Sequence, residues 1–126
     1  MEAVNTRVRE IRFFSTKNNR ILIVHTESAK KYADSLENNA DVISYEVCKK
    51  LDADNYLHIP KVGIKATIFQ KEWTTDFLIK MKSGEMTARE LCYKQDFLKT
   101  MNIQKMEFSR RYWEAQGIND WKIILI

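Results

Sequence analysis

The chain has 126 residues, of which 44% are hydrophobic and 30% charged, a composition typical of one globular domain. Membrane spans, signal peptides, disulfide frameworks and zinc sites are excluded. No apolar run approaches about 20 residues, the N-terminal segment lacks an apolar stretch, and two cysteines are too few. We therefore expect a cytoplasmic protein with no membrane partner. The net charge of +4 suits a polyanionic partner, although many soluble domains are equally basic.

The first third of the chain predicts a β-hairpin followed by a helix. Two β-rich runs, at residues 8–14 and 21–24, flank a polar segment whose asparagines accept positive φ in a turn. Thr26 then offers an N-cap, and Glu27 is favourable in the first helical turn. Apolar residues recur at helical spacing up to Leu36, and Asn38 and Asn39 predict the end of the helix.

The rest of the chain predicts several strands, a second helix and a final strand. Strand-like runs occupy residues 42–47, 56–59, 62–69, 73–81 and 86–94, and Ser83-Gly84 predicts that the last two form an antiparallel hairpin. A helix is expected over 103–115, ended by Gly117. The apolar run 121–126 is typical of a buried strand. This order predicts a mixed α/β fold.

The predicted hairpin carries a group of residues that could support phosphoryl chemistry. Asp76 lies in an apolar strand, where a carboxylate needs a partner or a cation. Glu90, Cys92 and Lys94 are spaced by two and would share one face of the next strand. Two acids can hold Mg²⁺, and a lysine can orient or deprotonate a water. Alternatively, backbone amides satisfy Asp76, and Glu90 and Lys94 form a surface pair; the spacing leaves both interpretations open.

Basic residues are concentrated at the N-terminus, which contains only two acidic residues in its first twenty positions. Such side chains contact the phosphate backbone in DNA complexes. The alternative is an ordinary solvated surface. The candidate DNA-binding residues are Arg7, Arg9, Arg12, Lys17 and Arg20.

Two strings resemble the core of the TnsA-type transposon endonucleases. They are TDFLIKMKSG, followed by a lysine-bearing strand, and SRRYWEAQGINDWKIIL; the similarity extends over residues 11–126. The resemblance implies a restriction-endonuclease-like fold, α/β with a central mixed β-sheet flanked by helices. It also implies a single TnsA-like nuclease domain over residues 1–126, without the winged-helix domain that follows in that family.

The resemblance also assigns roles to individual residues. Asp76 would be the metal-binding aspartate and Lys94 the catalytic lysine. The family has Glu or Gln where this chain has Cys92, which would contribute only its backbone to a metal, so Glu90 is the candidate replacement. A catalytic Glu of the first helix falls on Ala29, and Glu27 would serve only if the register shifts.

By resemblance, the function is that of an endonuclease subunit of a heteromeric cut-and-paste transposase. Such a subunit cuts DNA at transposon ends, uses Mg²⁺ with Mn²⁺ as an alternative, and acts with a transposase subunit and an ATPase regulator. The residues at positions 29 and 92 support a second interpretation. In it, the chain is a catalytically decayed nuclease-fold protein that serves as an accessory subunit and binds DNA or protein.

Overall fold

The computed structural model describes residues 9–126, so the predicted DNA-binding residue Arg7 lies outside the described part. Within these residues no helix is long and apolar enough to cross a membrane. Two short 3₁₀ helices, Ala53–His58 and Lys94–Asp96, accompany the main elements. These are β1 (Ile11–Ser15), β2 (Arg20–Val24), α1 (Glu27–Glu37), β3 (Val42–Lys50), α2 (Ala66–Phe69), β4 (Thr74–Met81), β5 (Met86–Cys92), α3 (Thr100–Ala115) and β6 (Asp120–Leu125).

A four-stranded mixed sheet forms the centre of the fold. Its order is β3-β4-β5-β6, and the pairs β3–β4 and β4–β5 are antiparallel, whereas β5 and β6 are parallel. Helix α3 connects the parallel pair, as parallel strands require a crossover. One apolar cluster lies between the sheet and α1, and a second lies between the sheet and α3. This arrangement is the restriction-endonuclease-like architecture expected from the sequence.

The separate β1–β2 ribbon packs beside β3 and satisfies backbone groups at the edge of that strand. Asn18 accepts the amide of Tyr45 at 2.8 Å, and the ammonium of Lys17 donates to the carbonyl of Val42 at 2.6 Å. Glu37 of α1 accepts hydroxyls from Ser15 at 2.5 Å and Tyr45 at 2.6 Å. These bonds protect an edge strand that could otherwise pair with another chain, and they hold the ribbon against the sheet.

Local sequence signals predicted several elements well. The hairpin forms as expected, with Asn19 at φ +52° in its turn. Thr26 caps α1 by accepting the amide of Ala29 at 3.0 Å. Gly117 follows α3 with φ +87°, where a residue with a side chain would be strained.

Two predicted strands were wrong. Residues 56–58 belong to a 3₁₀ helix capped by Asp52, and Ile59 follows it. Tyr56 packs edge-on against Phe108 of α3 at 4.9 Å between ring centroids. Residues 62–69 form a turn at Gly63, φ +78°, and then the short α2. Val62 is 82% exposed, so its β-branched side chain has no sheet to pack on. The final strand is also only partly buried, because β6 lies at the edge of the sheet.

Candidate active site

Asp76 and Glu90 lie side by side where β4 and β5 separate. The register of the two strands ends at Phe77 and Arg89, so Asp76 and Glu90 would form the next pair. Instead of main-chain carbonyls, the carboxylates of Asp76 and Glu90 accept backbone amides of the opposite strand. The Asp76 amide donates to Glu90 Oε1 at 3.1 Å, and the Leu91 amide donates to Asp76 Oδ2 at 2.7 Å. The two carboxyl groups therefore join the strands at this point.

Glu90 is anchored to α3 as well as to β4. Its Oε2 accepts the hydroxyl of Ser109 at 2.5 Å, and the indole of Trp121 donates to the same hydroxyl at 2.9 Å. The residue is only 1% exposed. Buried carboxylates are costly unless they are hydrogen-bonded or paired, and here each oxygen of Glu90 accepts one bond. Glu90 thus faces the α3 side of the sheet.

Asp76, in contrast, opens onto a cavity of about 140 Å³ on the α1 side. The cavity is lined by the end of β2 and the start of α1, including His25, Thr26 and Ala29, and by Cys48 of β3. Within residues 9–126, Leu91 is the one amide or hydroxyl donor to the Asp76 carboxylate. The carboxylate therefore keeps acceptor capacity that faces the cavity.

The strand on the other side of Asp76 is distorted too. Cys48 stands between the paired residues Val47 and Lys49, opposite Asp76, and has φ +49°. This conformation is unfavourable for a residue with a side chain and is commonest at functional sites. Asp76 therefore lies at a local break in the pairing of β4 with both of its neighbouring strands.

Burial has the largest effect on the pKa values of Asp76 and Glu90. Desolvation raises the pKa of Glu90 to about 7, and the neighbouring Asp76 charge adds to the effect. The pKa of Asp76 is also raised by burial, although the Leu91 amide and the charge of Lys105 oppose the rise. Two adjacent carboxyl groups cannot both ionise without cost. The pair consequently holds a proton near neutral pH or gains from a bound cation.

A comparison with models of protein families shows which family includes this chain. Residues 39–125 match the model of the TnsA-like endonuclease N-terminal domain. The chain belongs to the TnsA-like endonuclease family. Among curated proteins, none matches the chain. The matched segment includes β3 to β6 and therefore both carboxyl groups, while the ribbon and α1 precede it.

The TnsA-like pattern and this chain differ around the cavity. Ala29, which stands where the resemblance places a catalytic glutamate, lines the cavity with a methyl group. Glu27 points elsewhere and forms an exposed ion pair with Arg9 at 2.5 Å. The carbonyl of Cys92 accepts the amide of Ile126 at 2.9 Å, so one of its two lone pairs is used within the protein. The structure brings together Asp76 and Glu90 and leaves Glu27 apart.

The lysine expected at the site lies outside the strand. Because β5 ends at Cys92, the prediction that Lys94 shares a strand face with Glu90 was wrong. Lys94 begins the 3₁₀ helix Lys94–Asp96, and its side chain is exposed. The lysine whose charge lowers the pKa of both Asp76 and Glu90 is Lys105 of α3. It lies one helical turn before Ser109, with its ammonium 5.4 Å from the Trp73 ring centroid.

The predicted DNA-binding residues separate into three groups. Arg9 pairs with Glu27, and Arg12 pairs with Glu10 at 3.0 Å; all four side chains are exposed. Lys17 is turned inward to the Val42 carbonyl. Arg20 is exposed at the start of β2.

Three residues at the site were not predicted from the sequence: Lys105, Ser109 and the cavity-lining residue Tyr93. Ser109 offers a weak signal, since it is a polar residue between buried apolar positions of α3. No local signal links α3 to β5, because residues 90 and 105 are joined only when the helix folds back on the sheet.

Proposed function

We propose that this TnsA-like chain is a metal-dependent DNA endonuclease domain that acts in transposition, cutting DNA at transposon ends beside a transposase subunit. The observation that carries the proposal is the Asp76–Glu90 pair, in which one carboxylate opens onto a cavity and the other supports it from behind. The family match supports nuclease chemistry in general. Cys92 stands where the resemblance places Glu or Gln, and Glu90 holds Asp76 in position instead.

The donor set fits Mg²⁺ or Mn²⁺. Mg²⁺ is usually bound by one or two carboxylates, with water and substrate phosphate completing its coordination. Within residues 9–126, no three His, Cys, Asp or Glu side chains form a metal cluster. Asp76 is therefore the protein ligand that we propose, and Glu90 supports it by holding its backbone amide. A bound ion would stabilise charge on the phosphate and acidify a water.

The protein groups have distinct tasks in this proposal. Asp76 presents an oxygen to the cavity, and its other oxygen stays fixed by the Leu91 amide. Glu90 holds the Asp76 backbone and links it to Ser109 of α3. Lys105 contributes positive charge beside the two acids. Fixed charges near the reacting phosphate lower the barrier without reorganising during the reaction.

One observation favours a second candidate function. Glu90 is almost completely buried, and both of its oxygens are hydrogen-bonded. By resemblance, Ala29 stands in place of a glutamate and Cys92 in place of Glu or Gln. In this candidate, the Asp76–Glu90 pair only closes the hairpin. The chain would then be an accessory subunit that binds DNA or protein in a transposition system, together with its transposase and an ATPase regulator.

A cleavage assay distinguishes the two candidates. Purified protein, its transposase partner and DNA containing a transposon end are incubated with Mg²⁺. The proposal expects nicks at the transposon end, and EDTA should prevent them. Absence of nicks with both Mg²⁺ and Mn²⁺, while DNA or partner binding is retained, would establish the accessory function. The partner is included because an isolated subunit can be inactive for reasons unrelated to its site.

Lys105 should matter more than Lys94 for cleavage. Lys105→Met removes the charge that acts on both carboxyl groups, so we expect cleavage to fall about 100-fold, as for the loss of one electrostatic group. Lys105→Arg should restore part of the rate because it retains the charge. Lys94→Met is the matched variant and should change the rate little. A larger loss in Lys94→Met than in Lys105→Met would return the catalytic role to Lys94.

DNA binding through the ribbon should depend on its exposed arginines. Exposed ion pairs such as Arg12–Glu10 contribute at most about 1 kcal/mol, so these arginines can exchange carboxylates for phosphates. Arg9→Ala and Arg12→Ala should each reduce the slope of log K against log salt by about 0.9 for duplex DNA. Fluorescence anisotropy over a salt series measures this slope, with Lys31→Ala on α1 as control. Slopes equal to that of the control would remove the ribbon arginines from the DNA interface.

A further inference from the structure

A second cavity lies where the turn of the β1–β2 ribbon meets the central sheet. It has a volume of about 270 Å³ and is lined by Asn18 and Arg20 from the ribbon and by Ser44, Glu46 and Lys80 from the sheet. It shares no lining residue with the cavity at Asp76. The proposed cleavage chemistry therefore leaves it without a role.

Three hydrogen-bond donors converge on this cavity. Ser44 of β3 and Lys80 of β4 are paired across the strands, so their Cβ atoms lie about 4.5–5.5 Å apart on one face. Arg20 reaches the cavity from β2. Among the ion pairs of residues 9–126, none includes Arg20 or Lys80. The site thus has donors and positive charge to offer.

The single acid of the lining does not cancel this charge. Glu46 forms an ion pair with Lys49 at 3.2 Å, with both side chains partly exposed. Two cations, Arg20 and Lys80, therefore face one carboxylate that already has a cationic partner. Asn18 is held in place by its bond to the Tyr45 amide, which positions the ribbon turn over the cavity.

We propose that this cavity binds a phosphate group, with Arg20 and Lys80 supplying charged donors and Ser44 a neutral one. Arginine forks match phosphate oxygens, and lysine adds a point charge. The cavity is smaller than the about 300–1,000 Å³ of pockets that enclose drug-sized ligands, which suits a small anionic group. The phosphate comes either from the DNA backbone or from free inorganic phosphate. If the phosphate belongs to the DNA backbone, this inference rests on the proposed function.

Titration with inorganic phosphate at constant ionic strength tests the site directly. Amide resonances of Arg20, Ser44 and Lys80 should shift and saturate in ¹H–¹⁵N spectra. Arg20→Ala and Lys80→Ala should each weaken binding about threefold to fivefold, the effect of one exposed charge pair. Glu46→Gln should strengthen binding by a similar factor because it removes the one repulsive charge. Lys31→Ala controls for net charge and should change nothing.

A second arm uses duplex DNA to identify the source of the phosphate. If the backbone supplies it, Arg20→Ala and Lys80→Ala each reduce the salt slope by about 0.9, and Lys31→Ala does not. Phosphate binding with unchanged DNA binding assigns the site to free phosphate. The proposal would be overturned if Lys31→Ala had the same effect as Arg20→Ala and Lys80→Ala on both phosphate and DNA binding. It would also be overturned if Glu46→Gln left phosphate binding unchanged. Both readouts measure binding, so absence of cleavage leaves this test unaffected.

Discussion

Replacing Asp76 by asparagine should reduce DNA cleavage by about 10³-fold, the upper end of the loss for one electrostatic group at a reacting centre. The physical reason is the loss of the negative charge that Asp76 contributes to the lining of the cavity. The substitution is nearly isosteric, and the asparagine oxygen can still accept the Leu91 amide. The hairpin should therefore remain closed, and the DNA-binding affinity should be unchanged or higher because a negative charge is removed.

Two matched variants sharpen this experiment. Glu90→Gln should lower cleavage about 10- to 100-fold, the range for groups that support a metal ligand, because Glu90 holds the Asp76 backbone. Glu27→Gln changes the same type of side chain on an exposed helix and should leave cleavage nearly intact. Initial rates at fixed Mg²⁺ are compared for the three proteins. Full activity of Asp76→Asn would place the chemistry elsewhere in the chain.

The stability of the protein should fall as pH rises through neutrality when no metal is present. The pKa of Glu90 is raised by burial from its ordinary value of 4.5 to about 7. Below pH 4.5 the folded and unfolded states are both protonated, so no stability is lost. Between these values the folded state binds more protons, and stability is lost as pH increases. At 1.36 kcal/mol per pKa unit, the interval of 2.5 amounts to about 3 kcal/mol.

Urea unfolding in EDTA at pH 5 and pH 8.5 measures this loss. Glu90→Gln should flatten the pH dependence, because its side chain does not ionise, and should be more stable than the parent protein at pH 8.5. The raised pKa of Asp76 has the same sign and should leave a smaller residual slope. Stability that rises between pH 5 and pH 8.5 in the parent protein would contradict a shared proton in this pair.

Addition of Mg²⁺ at pH 8.5 extends the same experiment. A cation bound to the native pair stabilises the folded state by mass action, so the Tm should increase with Mg²⁺ concentration. Asp76→Asn should abolish that increase, because the charge of the proposed protein ligand is lost. This readout needs no cleavage. It separates a metal-binding pair from carboxyl groups that only close the hairpin.

Much of the fold follows from local signals in the sequence. Thr26 begins α1 and Gly117 ends α3 because capping and positive φ depend on single residues and their neighbours. The β4–β5 hairpin follows from two β-rich runs around a tight turn. The strings around Asp76 and in α3 identified the family, which the family model confirms. Asp76 was recognisable because a carboxylate in an apolar strand needs a partner.

The composition of the site depended on contacts between distant segments. The sequence could not show that β5 ends before Lys94, that Glu90 turns toward Ser109, or that Lys105 supplies the charge at the acids. Likewise, Tyr56 leaves the predicted strand because α3 offers an aromatic surface to pack against. Period-two spacing specifies a face only while a strand continues. The docking of α3 on the sheet depends on packing between distant segments, which outweighs local preference.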